Sequence, residues 1–297
     1  MCGTHRDLAR SVGALGPLGA LMEDDTQSTS SSPRSNSVLV PIRSGLPQAR
    51  IRVWLRRGWS DYRACWPLSS WFGLCFVAMG WLQLLIFREA PAYSMALISG
   101  FLLLGPFLCT ALYRLSQAIE RGERPTFLAA VFAFRPVLGN IGIFAALLLV
   151  LELLWGRASL VVFALFYRGG LPTTQDLIDA LAKFKNVDFM IAYVLVGAVF
   201  ATLVFVVSAI SIPMLLDRRT DAVTAGLTSV RACLGSPMTL GLWAATIVTL
   251  VMLAMVPGFL GLIVVGPWLG HATWHAYRDV VISPTRTQDA ATVAVFP

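Results

Sequence analysis

From residue 50 onward, long uncharged apolar runs alternate with short charged segments. Leu68–Phe87 gives 20 uncharged residues, Ala90–Tyr113 gives 24 and Phe189–Leu216 gives 28; Pro136–Leu151 gives 16 and continues past Glu152 to Trp155. A hydrocarbon core about 30 Å thick takes about 20 helical residues, so each run predicts one transmembrane helix. Ala232–Tyr277 is uncharged over 46 residues. As a single helix it would reach about 69 Å, over twice the core, so it has to fold back. Val256-Pro257-Gly258 is the natural break, since Pro removes a backbone donor and Gly permits the turn. The pattern predicts an all-α integral membrane protein with six transmembrane helices at about 68–87, 92–114, 137–156, 190–216, 238–256 and 258–277.

Once the spans are set, an internal repeat emerges. Gly58-WSDY-Arg63-Ala64-Cys65 before the first span matches Gly226-LTSV-Arg231-Ala232-Cys233 before the fifth. Gly105-Pro106-Phe107-Leu108 in the second span matches Gly266-Pro267-Trp268-Leu269 in the sixth. The expected arrangement is three hairpins of related design, each preceded by a short amphipathic interfacial helix, at 51–64, 126–134 and 220–232. A further surface helix is expected after Pro172, where Leu177, Ile178, Leu181 and Phe184 recur at helical spacing and Thr173 or Thr174 caps the start.

The ends are different material. Thr26 to Ser37 (TQSTSSSPRSNS) is low-complexity, so residues 1–49 read as a disordered cytoplasmic tail, 50–281 as the six-helix transmembrane domain and 282–297 as a cytoplasmic C-terminal tail. The apolar stretch after Arg10 is short, Gly-rich and followed by Glu23-Asp24-Asp25, so no signal peptide is expected. Met22 is an alternative start to Met1.

Composition agrees with the pattern. The chain is 57% hydrophobic and 13% charged, with a mean hydropathy of +0.72, whereas soluble domains carry roughly 45–50% apolar and about 25% charged residues. Basic residues outnumber acidic ones 23 to 16, a net charge of +7. With six spans, fourteen Arg fall on the side shared by both termini and four or five Arg and Lys on the other. That asymmetry predicts a multi-pass protein of the bacterial cytoplasmic (inner) membrane with both termini in the cytoplasm. The basic excess therefore reports membrane orientation; the expected partners are the lipid bilayer and other membrane subunits, with no nucleic acid. Five Cys form no C-x-x-C pair and no disulfide framework.

Candidate chemistry is sparse. His271 and His275 stand four residues apart on one face of the sixth span, a spacing that haem or copper can use. The structural alternative places both at the cytoplasmic membrane border, with Trp274 and Tyr277 as an aromatic belt. Glu152 and Arg157 form a candidate intramembrane polar site, because ionisable groups in lipid are costly. Pro106, Pro213 and Pro267 each free a carbonyl in an even-numbered span and are read as helix kinks. Arg50, Arg52, Arg56, Arg57 and Trp59 lie on the helix before the first span and are expected to anchor it to lipid headgroups. No P-loop, nucleophile elbow or paired-carboxylate motif occurs, so no catalytic residue and no cofactor is expected.

Several of these segments resemble a known family. Gly58-Trp59-x-Asp61, Gly100-Phe101-x-Leu103-x-Gly105-Pro106, Tyr113-x-x-Ser116 and Glu120-x-Gly122-Glu123-x-Pro125 carry the likeness, continued by Pro213-Met214-Leu215-Leu216-Asp217-Arg218 and Gly270-His271-Ala272-Thr273-Trp274-His275-x-Tyr277-Arg278. Together they resemble the prokaryotic integral membrane proteins of domain of unknown function 2189, over about 51–281. The resemblance implies a polytopic membrane protein. Some members are labelled cytochrome c oxidase subunit I, but such a core needs many more spans and ligand His than this chain has. The expected function is a non-enzymatic transport or scaffold and assembly component. The alternative is a redox, haem- or copper-associated protein using His271 and His275.

Overall fold

The computed structural model describes residues 40–90, 93–166, 187–218 and 220–282. The low-complexity stretch, the surface helix expected after Pro172 and the C-terminal tail beyond Ile282 lie outside these residues.

Ten α-helices make up nearly all of the described chain: α1 (Arg50–Ala64), α2 (Trp66–Glu89), α3 (Ser94–Glu120), α4 (Phe127–Val131), α5 (Leu138–Phe166), α6 (Val187–Ser208), α7 (Ser211–Arg218), α8 (Ala222–Gly235), α9 (Pro237–Met255) and α10 (Leu262–Val280). Among the described residues the only β pairing is an isolated bridge, Ile42 to Val281. Five segments are long and apolar enough to cross a membrane: Trp66–Glu89, Leu97–Glu120, Phe127–Phe166, Val187–Arg218 and Pro237–Met255. A helix, α10, occupies the position of the sixth expected span, but its His, Trp, Arg and Asp side chains leave it short of that apolar standard.

The breaks have local causes. Between α9 and α10 the chain turns through Gly258 and Phe259, both at positive φ (62° and 68°). The fourth apolar run is divided at Ala209–Ile210, one turn before Pro213, because the ring displaces the carbonyl four residues back. Hydroxyls repair that break. Ser229 Oγ donates to the Val206 carbonyl and accepts from the Ile210 N–H, and Ser211 Oγ donates to the Ala225 carbonyl. Pro106 and Pro267, by contrast, lie inside continuous helices. Pro267 leaves the Ile263 carbonyl without its helical donor, and Gly73 of α2 packs directly on that carbonyl; a Cβ there would sit 2.2 Å from its oxygen.

α10 is the hub. It packs against α1, α2, α3, α7 and α9. Gly58 lets α1 approach closely, since a Cβ at that position would lie 2.5 Å from the Ala272 nitrogen. Trp54, Trp243, Trp274, Tyr277, Phe144 and Met214 fill the centre.

One boundary moves. The expected tail through residue 49 ends earlier, because residues 42–46 are tied to the bundle by their backbone. Arg43 N–H donates to the Val280 carbonyl and Gly45 N–H to the Gly235 carbonyl, while the Leu46 N–H donates to Ser236 Oγ.

Candidate functional site

The ionisable groups of α10 meet segments far away in sequence at one end of the bundle. Asp279 is 7% exposed and accepts from Arg50 Nε and Nη2 (2.6 Å each), from Arg43 Nη1 (3.1 Å) and from Trp54 Nε1 (3.0 Å). Burial pushes its carboxyl up, but these hydrogen bonds and the Arg50 and Arg43 charges outweigh it and hold the group below its ordinary value. The Arg50 guanidinium is raised in turn, chiefly by its hydrogen bond to Asp279.

The other contacts repeat this scheme. His275 Nε2 lies 2.8 Å from Asp61 Oδ2 of α1. Arg278 donates through Nε and Nη2 to Glu120 Oε1 (3.1 Å each), and Trp274 Nε1 donates to Glu120 Oε2 (3.1 Å). Tyr277 donates to Asp217 (2.7 Å), which also accepts from Gln117 Nε2 (3.1 Å). His271 is fully buried between two hydroxyls, Ser69 Oγ at 2.9 Å from Nε2 and Ser116 Oγ at 2.7 Å from Nδ1. A neutral imidazole has one N–H and one acceptor, so one Ser accepts and the other donates.

Trp274 and Tyr277 form no aromatic belt at a lipid surface: each is 1% exposed, inside the bundle and hydrogen-bonded to a carboxylate. Arg50 holds Asp279, so its guanidinium is not a free headgroup anchor. Arg52, Arg56 and Arg57 are all exposed, but only Arg57 lines a cavity beside α10; Trp59 stacks on Tyr62 and meets Trp268 edge-on.

His271 and His275 are turned to different partners: the two His271 nitrogens face Ser69 and Ser116, and His275 Nε2 faces Asp61. Among the described residues no three His, Cys, Asp or Glu gather as a metal group. Glu152 and Arg157 are likewise separated. Glu152 is 7% exposed and accepts from Ser99 of α3 (2.6 Å), its Oε1 is without a partner among the described residues, and Arg157 is exposed on another face.

Asp279 is the residue that sequence reasoning missed. Its signal was faint: a lone acid beside Arg278, two residues past the end of the apolar run.

Asp61, Ser116, Glu120, Asp217 and the run from His271 to Arg278 come from the segments that carried the family resemblance, whereas Arg43, Arg50, Trp54, Ser69 and Asp279 lie outside them. Residues 94–217 match the family of predicted integral membrane proteins called domain of unknown function 2189. The match begins at the first residue of α3 and ends one residue before the end of α7. It covers less than half of the 297 residues and includes neither α1 nor α10. No curated protein and no solved structure matches the chain. The family description and the five apolar helices agree that this is an integral membrane protein.

Proposed function

We propose that the chain is a non-enzymatic scaffold of the bacterial inner membrane, on which other membrane subunits assemble. The observation that carries this reading is the clamping of α10. Its polar side chains are used on α1, α2, α3 and α7, which fixes the bundle internally and leaves apolar helix faces outward for lipid and neighbouring subunits.

The reading includes six traverses in three hairpins with both termini cytoplasmic. The Arg asymmetry supports that topology. So does the meeting of residues 42–46, the end of α3, α7, the end of α8, the start of α9 and the end of α10, all of which the topology assigns to one side. The two junctions α1–α2 and α8–α9 also share a form: a single linking residue, Cys65 or Ser236, with φ of −132° or −146°, is followed by Pro within the first helical turn.

Mild solubilisation followed by native electrophoresis tests the scaffold. A discrete complex with stoichiometric membrane subunits is expected, and a lone species that drives solute flux in vesicles would replace scaffold by transport. An absorption spectrum of the same preparation tests the redox alternative, for which a Soret band lost in both His271→Gln and His275→Gln would be decisive.

A further inference from the structure

A cavity of about 250 Å³ opens between α1 and α10, beside the end of α3. Four guanidiniums line it, those of Arg43, Arg50, Arg57 and Arg278, against three carboxylates, Asp61, Glu120 and Asp279. Four minus three leaves one positive charge with His275 neutral and two with it protonated. The carboxylates are already committed. Asp279 holds Arg50 through two bonds, Glu120 holds Arg278 through two, and Asp61 faces His275. Arg57 has no hydrogen-bond or ion-pair partner among the described residues, and the only described side-chain contact of Arg43 is a single Nη1 bond to Asp279.

We infer that this cavity binds one phosphate group, presented by an anionic lipid headgroup or as free phosphate. The uncommitted donors are guanidinium forks, whose planar geometry matches phosphate oxygens in pairs. Their neighbours are already held by carboxylates, Arg50 by the buried Asp279 and Arg278 by the exposed Glu120, so little ordering is needed on binding. The excess of one charge matches a phosphodiester. The cavity also lies where a headgroup would: α1 is the basic amphipathic helix leading into α2, and Trp66 and Trp71 at the start of α2 are exposed, as aromatic residues at a membrane surface are. The inference depends on α1 lying at the membrane face, as in the proposed topology, which reporter fusions test separately; it does not depend on the scaffold role.

The test uses the purified full chain in a non-ionic detergent, titrated with phosphatidylglycerol, phosphatidylcholine or inorganic phosphate and followed by native mass spectrometry and thermal melting. Phosphatidylglycerol is expected to be retained at one molecule per chain and to raise the melting temperature saturably, with phosphatidylcholine much weaker. Arg57→Gln is expected to weaken this about tenfold, while Arg56→Gln, exposed on the same helix outside the cavity, leaves it unchanged. A saturable shift with inorganic phosphate, equally lost in Arg57→Gln, supports the site and assigns free phosphate as its source. No saturable shift with either, or equal weakening in both variants, overturns the inference in favour of diffuse attraction to a basic surface.

Discussion

α6 and α10 invert the rule of soluble proteins. The segment containing α6 is the most apolar of the five candidate spans, yet none of its most apolar window is buried, and in the whole helix only Phe189 is. α10 falls short of the apolar standard, yet ten of its 19 residues are buried, His271 and Asp279 among them. In lipid, an apolar side chain is satisfied by the solvent it already has, while a polar one has to find protein. In this pair the more apolar helix is the one that faces outward, although the segment containing α5 is nearly as apolar and a third of its most apolar window is buried. The helix that organises the bundle is the one whose polar groups other helices must serve.

The largest expected break of this contrast is Asp279→Ala. It removes the acceptor of Arg50, Arg43 and Trp54 together and is expected to lower stability by about 2–3 kcal/mol in a detergent melt. Val194→Ala and Leu195→Ala on the exposed face of α6 are expected to stay within about 0.5 kcal/mol. Equal losses at both places would erase the distinction.

Next in size is Gly58→Ala. Its new Cβ would meet the α10 backbone at Ala272, and overpacking of this kind costs about 1–3 kcal/mol. Gly226, its counterpart in the expected repeat, has open space where a Cβ would go, so Gly226→Ala is expected to gain up to about 1 kcal/mol from helix propensity. Opposite signs at the two glycines would show that the repeat is one of sequence, with the tight packing confined to the α1–α10 copy.

The smallest effect is in acid. The folded carboxyl of Asp279 lies below its ordinary 3.8, so its contribution is complete above that value and is lost as pH falls through the lower folded value. A pH series of melts is expected to be flat near neutrality and to fall below about pH 4. Asp279→Asn should reduce that acid slope without steepening the neutral range.

Helix positions were legible because lipid imposes length and apolarity, and because Pro257-Gly258 interrupts the longest run. The short helices flanking the spans were legible too: the expected 51–64 and 220–232 are α1 and α8 to within three residues, and α4 with the following turn occupies the expected 126–134. The site was legible only in part. His271 and His275 stood out by rarity, but nothing local says that Ser69, Ser116 and Asp61 would receive them. An aromatic pair at the end of an apolar run carries the same local pattern whether it meets lipid or protein, so Trp274 and Tyr277 were placed at the wrong surface. Arg50 has the same ambiguity, since a basic residue before a span reads as a headgroup anchor until its carboxylate partner, 229 residues on, is located.

Between α6 and α10 the less apolar helix is the inner one, which labelling from the lipid side can read out residue by residue. With the full chain in vesicles containing a lipid that carries a carbene precursor on its acyl chain, label is expected on Val194, Leu195 and Val199 of α6. The α10 stretch from Leu269 to Tyr277 is expected to remain protected. Label on Trp274 and Tyr277 at the level seen on α6 would contradict the account.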